Sequence, residues 1–235
     1  MTINVSYVIQ KEVPMYWYAT RSSALLAYAL LYLSIFLGVS IRIPLLNKLI
    51  KPIYSCSSHC WISLQALVFA AVHGLLLLGD KFMNFKLVNI FIPFYPTVGN
   101  QMPGINPQFL ALGILSFYLM IILVATSYAR RFIGQKLWRS LHFLNIGLFI
   151  IVFIHALYMG TDLKGGILRE IFIYANAFLV LLLLINIFIR IFKALGGKES
   201  APISCEINLP RNENLRQNYP PVEPERDPKI FRGRI

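Results

Sequence analysis

Five stretches of this chain are apolar for long enough to cross a lipid bilayer, which limits the fold before any single residue is considered. A crossing takes roughly 20 residues. The runs cover residues 22–41, 53–79, 109–128, 137–159 and 167–195. Each stops at polar or helix-breaking residues: Arg42 and Pro44, Asp80, Ala129-Arg130-Arg131, Gly160-Thr161-Asp162, and Gly196-Gly197-Lys198. Lipid offers no partner to a backbone N–H or C=O, so continuous apolar segments cross it as helices. The expected fold class is therefore all-α: an integral membrane helical bundle of about five transmembrane helices. Residues 1–21 read as an interfacial segment, residues 22–195 as the membrane domain, and residues 196–235 as a polar, extended tail.

Composition supports this division. Only 14% of the residues are charged and the mean hydropathy is +0.63, whereas soluble domains carry about a quarter charged side chains. The net charge of +12 does not point to nucleic acid. The Lys and Arg sit in short connections and in the tail, as in proteins that orient themselves in a membrane, and no nucleic-acid-binding motif accompanies them. With the amino terminus outside, the inner segments carry ten basic residues and the outer ones six, which places the carboxyl terminus in the cytoplasm. The first 20 residues hold Lys11, Glu12 and Pro14 and show no cleavable signal peptide.

Two parts do not span. Residues 81–108, rich in Phe, Ile, Pro and Tyr, are expected along the outer interface. The tail is too short for a flavin or nicotinamide domain and lacks a Gly-rich phosphate loop; its Pro-rich, mixed-charge character suits extended binding to a partner. Cys56, Cys60 and Cys205 make no disulfide framework. The order Cys56-Ser57-Ser58-His59-Cys60 is not the Cys-x-x-Cys-His of covalent haem attachment.

All four histidines lie inside two of the apolar runs: His59 and His73 on the second, His142 and His155 on the fourth. Ionisable groups within the bilayer are costly and usually functional. His59 and His73 are 14 residues apart, and His142 and His155 are 13 apart, which is about 21 and 20 Å of helix rise. One crossing intervenes, so the two helices run parallel. His59 then shares its depth with His142, and His73 with His155. Two histidines at matched depth suit a six-coordinate haem iron, and two such levels make an electron ladder of two stacked b-type haems. Zinc or copper would require all four ligands at one point.

The helical angles do not match so simply. Fourteen residues return to within about 40° of one face, while thirteen end about 140° away. Either the fourth helix contains a local bulge, for which Gly147 is placed, or the haems are displaced around it. Gly74, Ala66, Ala70 and Ala71 leave room either for a macrocycle or for close helix packing. Among Arg130, Arg131, Lys136 and Arg139, Arg139 is the preferred propionate partner and the others read as membrane anchors. Trp61 and Trp138 are interfacial or haem-packing residues.

The run from Ala125-Thr126-Ser127 through Arg130-Arg131, Gly134, Leu137-Trp138-Arg139, Leu141-His142 and on to His155 resembles the ferric reductase-like transmembrane domain family. That family includes ferric reductases, the membrane domains of NADPH oxidases and the haem-binding subunit of bacterial methionine sulfoxide reductase. The resemblance covers about residues 22–195. It implies haem ligation by His59, His73, His142 and His155 and electron flow across the membrane. Many members have six crossings where five are counted here, and eukaryotic members continue into a flavin and nicotinamide domain. A flavin or quinone would therefore act only through a partner: electrons would be exchanged with a separate redox protein or a membrane quinol. The alternatives are a stand-alone reductase of ferric iron or oxygen, with residues 81–108 forming the acceptor pocket, and a non-redox scaffold subunit of a larger complex.

Overall fold

The computed structural model describes residues 15–41, 43, 46, 52–79, 85–95 and 106–195. The polar tail and the remainder of residues 81–108 lie outside the described residues. Among the described residues the regular structure is entirely helical. Helix α1 is Met15–Ser40, α2 Pro52–Gly79, α3 Leu87–Phe91, α4 Pro107–Tyr128, α5 Arg130–Ile133, α6 Gln135–His142, α7 Leu144–Met159 and α8 Ile167–Leu195. Five spans are long and apolar enough to cross a membrane: α1, α2, α4, α6 with α7, and α8. The protein is an integral, multi-pass membrane protein.

Helix α1 begins at Met15, well before the expected start at residue 22. The early turns hold because their polar groups find partners at the helix end. The Arg21 guanidinium lies 3.9 Å over the Trp17 ring, and its Nε donates to Asp162 Oδ2 at 2.8 Å. Helix α4 starts where its local chemistry places it. Pro107 occupies the first turn, where a missing N–H costs nothing, and the Asn106 side chain accepts from Gln108 N at 2.9 Å. Gly134, at φ 81°, turns the chain between α5 and α6 in a conformation that favours glycine. The expected and observed bounds of α8 coincide.

The fourth crossing differs from the expectation of one continuous helix. It is interrupted at Phe143, which separates α6 from α7. Ile146 N bonds Phe143 O, a three-residue step, and the Asn145 side chain donates to His142 O at 3.0 Å. The irregularity sits beside His142 and not at Gly147, where an added Cβ would meet nothing within 4 Å. A tightened turn changes the angle accumulated between His142 and His155, which is where the spacing of thirteen needed correction.

The spans close into a ring. Helix α1 packs along α2, α2 meets α4, and α4 packs along α7. Phe153 of α7 stacks on Phe172 of α8 at 5.4 Å. Helix α8 returns to α1 through Tyr28 Oη, which donates to Asn176 Oδ1 at 2.5 Å, and Tyr32 Oη, which donates to Ala175 O at 3.0 Å. Leu31, Ala66, Met120, Leu123 and Leu148, from four helices, form one buried cluster inside the ring. The short α3 lies against α2, with Ile90 beside Gly74, and Tyr118 Oη of α4 donates to Phe91 O at 2.8 Å.

Candidate functional site

The four histidines project from α2, α6 and α7. The rings of His59 and His142 have centres 6.1 Å apart at an interplanar angle of 76°. Among the described residues no three His, Cys, Asp or Glu gather at one point.

Each ring is oriented by a neighbour. His59 Nδ1 donates to the Ser34 carbonyl of α1 at 2.7 Å, with Ser34 Oγ at 3.1 Å. A closed circuit secures that contact: Ser34 Oγ bonds Ser63 Oγ at 2.6 Å, and Ser63 Oγ donates back to His59 O at 2.7 Å. His73 Nδ1 donates to Thr20 O at 3.1 Å, and His155 Nδ1 to Phe109 O at 2.8 Å. A carbonyl accepts only from a donor, so these three rings carry their proton on Nδ1 and leave Nε2 with a lone pair. Metal-ligating histidines characteristically have this arrangement, because the bond at the other nitrogen fixes tautomer and ring angle.

His142 is held differently. Asn145 Nδ2 lies 3.2 Å from its Nδ1, and Trp138 stacks on its ring at 5.1 Å. Asn145 Nδ2 also donates to His142 O at 3.0 Å, so the amide meets the ring as a donor and His142 Nδ1 accepts. Arg130 in turn lies over Trp138 at 5.1 Å, so it is the basic residue brought against the support of His142. Arg139 is exposed, on α6 one turn before His142. Trp61 is 62% exposed and fits the interfacial role.

Two glycines make room for the rings. A Cβ at Gly113 of α4 would overlap the His155 imidazole, and one at Gly38 of α1 would come within 3.4 Å of His59 Cε1. Ala66 is fully buried in the central cluster, so it serves close packing. Gly74 admits α3. The two histidine-bearing spans are the least covered by protein: 6% and 11% of their windows are buried, against 22–28% for the other three.

The donor set fits haem iron. At about 2 Å for each metal–nitrogen bond, and about 1 Å more from nitrogen to ring centre, two imidazoles on one metal have centres roughly 6 Å apart. The His59–His142 separation of 6.1 Å agrees. Neutral, Nδ1-bonded imidazoles in an apolar surround are suitable axial ligands.

A family model described as ferric reductase like transmembrane component matches residues 23–157, more than half of the chain and all four histidines. No curated protein and no solved structure matches the chain at a significant level.

Proposed function

The chain belongs to the ferric reductase-like transmembrane family and has a role in membrane electron transfer, and from that premise we propose that it is a dihaem b-type cytochrome. His59 and His142 hold one haem, and His73 and His155 the other. Electrons cross the bilayer between a separate redox partner or quinol on one side and an acceptor on the other. The carboxyl terminus faces the cytoplasm, and residues 196–235 are available to a partner. Arg139, one turn from His142, is retained as a propionate partner together with Arg130.

The observations that support this reading are four intramembrane imidazoles, the 6.1 Å approach of the His59 and His142 rings, and three rings with Nδ1 tied to a backbone carbonyl of a neighbouring helix. Haem supplies one-electron chemistry at iron. The chain's residues would fix the ligands, keep Nε2 of His59, His73 and His155 unprotonated and exclude water from the space between the levels. Two histidines on each iron would leave no open coordination position, so exchange with donor and acceptor would take place at the haem edge.

Haem quantitation with a reduced-minus-oxidised spectrum tests the proposal. The purified chain is expected to hold two low-spin b haems, and His73→Ala and His142→Ala are each expected to lose one. A well-folded preparation without haem would overturn it.

A further inference from the structure

The hydrogen bonds around His59 fix the position of every proton in its seat. Ser63, one turn after His59 on α2, donates its only hydroxyl hydrogen to His59 O at 2.7 Å. Its Oγ lies 2.6 Å from Ser34 Oγ of α1, so Ser34 is the donor in that contact. With its own hydrogen spent on Ser63, Ser34 Oγ can only accept from His59 Nδ1, 3.1 Å away. The same ring N–H already reaches Ser34 O at 2.7 Å. One imidazole N–H is thus shared between two oxygens of one residue, a three-centre bond. Ser34 is 3% exposed, so the circuit is shielded from solvent.

The other rings are held otherwise. His155 Nδ1 donates to Phe109 O at 2.8 Å. At His73 the relation is reversed: Thr20 O takes both His73 Nδ1 at 3.1 Å and Ser23 Oγ at 2.9 Å, so one acceptor serves two donors. His142 Nδ1 accepts from Asn145.

An acceptor at the N–H of an imidazole makes the opposite nitrogen a more basic ligand. A more basic axial ligand favours ferric over ferrous iron, and hydrogen bonding around the ligands is one of the means by which a protein sets haem potential. Bonds in a chain polarise one another, so the Ser34 hydroxyl becomes a better acceptor by donating to Ser63. We propose that Ser63 is a positioning residue that lowers the reduction potential of the haem on His59, acting through the Ser34 hydroxyl on the ring N–H. The circuit tunes one haem and leaves the other untouched. This inference rests on the dihaem reading and adds to it an assigned control of potential.

The test is a potentiometric titration of the purified full chain in two single-haem backgrounds. His73→Ala keeps the His59–His142 site, and His142→Ala keeps the His73–His155 site. In the first, Ser63→Ala is expected to raise the midpoint potential, so that at a fixed applied potential the ferric-to-ferrous ratio falls about threefold to tenfold, as the loss of one hydrogen bond implies. In the second, no shift is expected. Ser63→Thr, which keeps the hydroxyl, should restore the original potential. Should Ser63→Ala lose the haem of the first background, Ser34→Ala reads the same effect, since it removes the hydroxyl and leaves the carbonyl on Nδ1. Unmoved potentials with haem retained, equal shifts in both backgrounds, or a shift that Ser63→Thr does not reverse would overturn the tuning role and leave the dihaem reading standing. A wild-type chain without haem would overturn both, so the two failures are distinguishable.

Discussion

His155 is seated against α4 at a point where only glycine fits. Its Nδ1 reaches Phe109 O, and the ring occupies the volume that a Cβ on Gly113 would need. Gly113→Val is therefore expected to push the ring off its seat, and overpacking of this kind costs about 1–3 kcal/mol. Haem content should fall from two per chain to one while the spectrum of the His59–His142 site persists. Gly38→Ala is the comparison: its Cβ would stand 3.4 Å from His59 Cε1, close to an ordinary contact, and haem content should stay at two. The histidines themselves were legible because intramembrane ionisable groups are rare. Their orienting partners were not, since Ser34, Thr20 and Phe109 act through backbone oxygens that leave no mark in a sequence. Gly113 did carry a visible signal, a glycine within an apolar run, but nothing in its own helix showed which neighbour needed the space.

Among the helices, the fourth crossing shows how local chemistry corrects a spacing. Its break at Phe143 lets α6 present His142 and α7 present His155 from one span. Asn145 stabilises the break by bonding both the carbonyl and Nδ1 of His142. Asn145→Leu is expected to remove both bonds, each worth about 1 kcal/mol within a membrane. Redox titration should then show a changed potential or partial loss at the His59–His142 site, with the other site unmoved. Equal change at both sites would mean that Asn145 supports the bundle in general. The sequence offered an irregularity as one of two readings, beside haems displaced around the helix, since thirteen residues do not return to one face. It did not locate the irregularity, because Gly147 looked permissive while the bonds that decide the matter come from Asn145. Run length gave the five spans well, and α8 to the residue. It gave the start of α1 poorly, because the Arg21–Asp162 pair is a contact between residues 141 apart and invisible to a local pattern.

For the molecule as a whole, that same pair ties the beginning of the first helix to the turn before the last and helps close the ring. The two side chains are 28% and 23% exposed, so solvent screens them and the pair is worth at most about 1 kcal/mol. Asp162→Asn is expected to lower the thermal midpoint in detergent by a few degrees and to leave haem content unchanged. A loss of haem would show that ring closure, and not local orientation, holds the cofactors.

The apolar cluster of Leu31, Ala66, Met120, Leu123 and Leu148 has a wider consequence. Ala66 falls midway along the chain between His59 and His73, and Leu148 lies between His142 and His155. If the chain holds two haems as proposed, the cluster would be a dry septum between their levels. Electrons can tunnel through hydrocarbon over such a distance, whereas protons and metal ions cannot follow them. Each electron that crosses by way of the histidine ladder would leave its charge uncompensated, so turnover would work as a small generator that polarises the membrane. Every 100 mV of opposing voltage would cost each further electron about 2.3 kcal/mol, and the flow would stop unless another conductor in the same membrane discharged it.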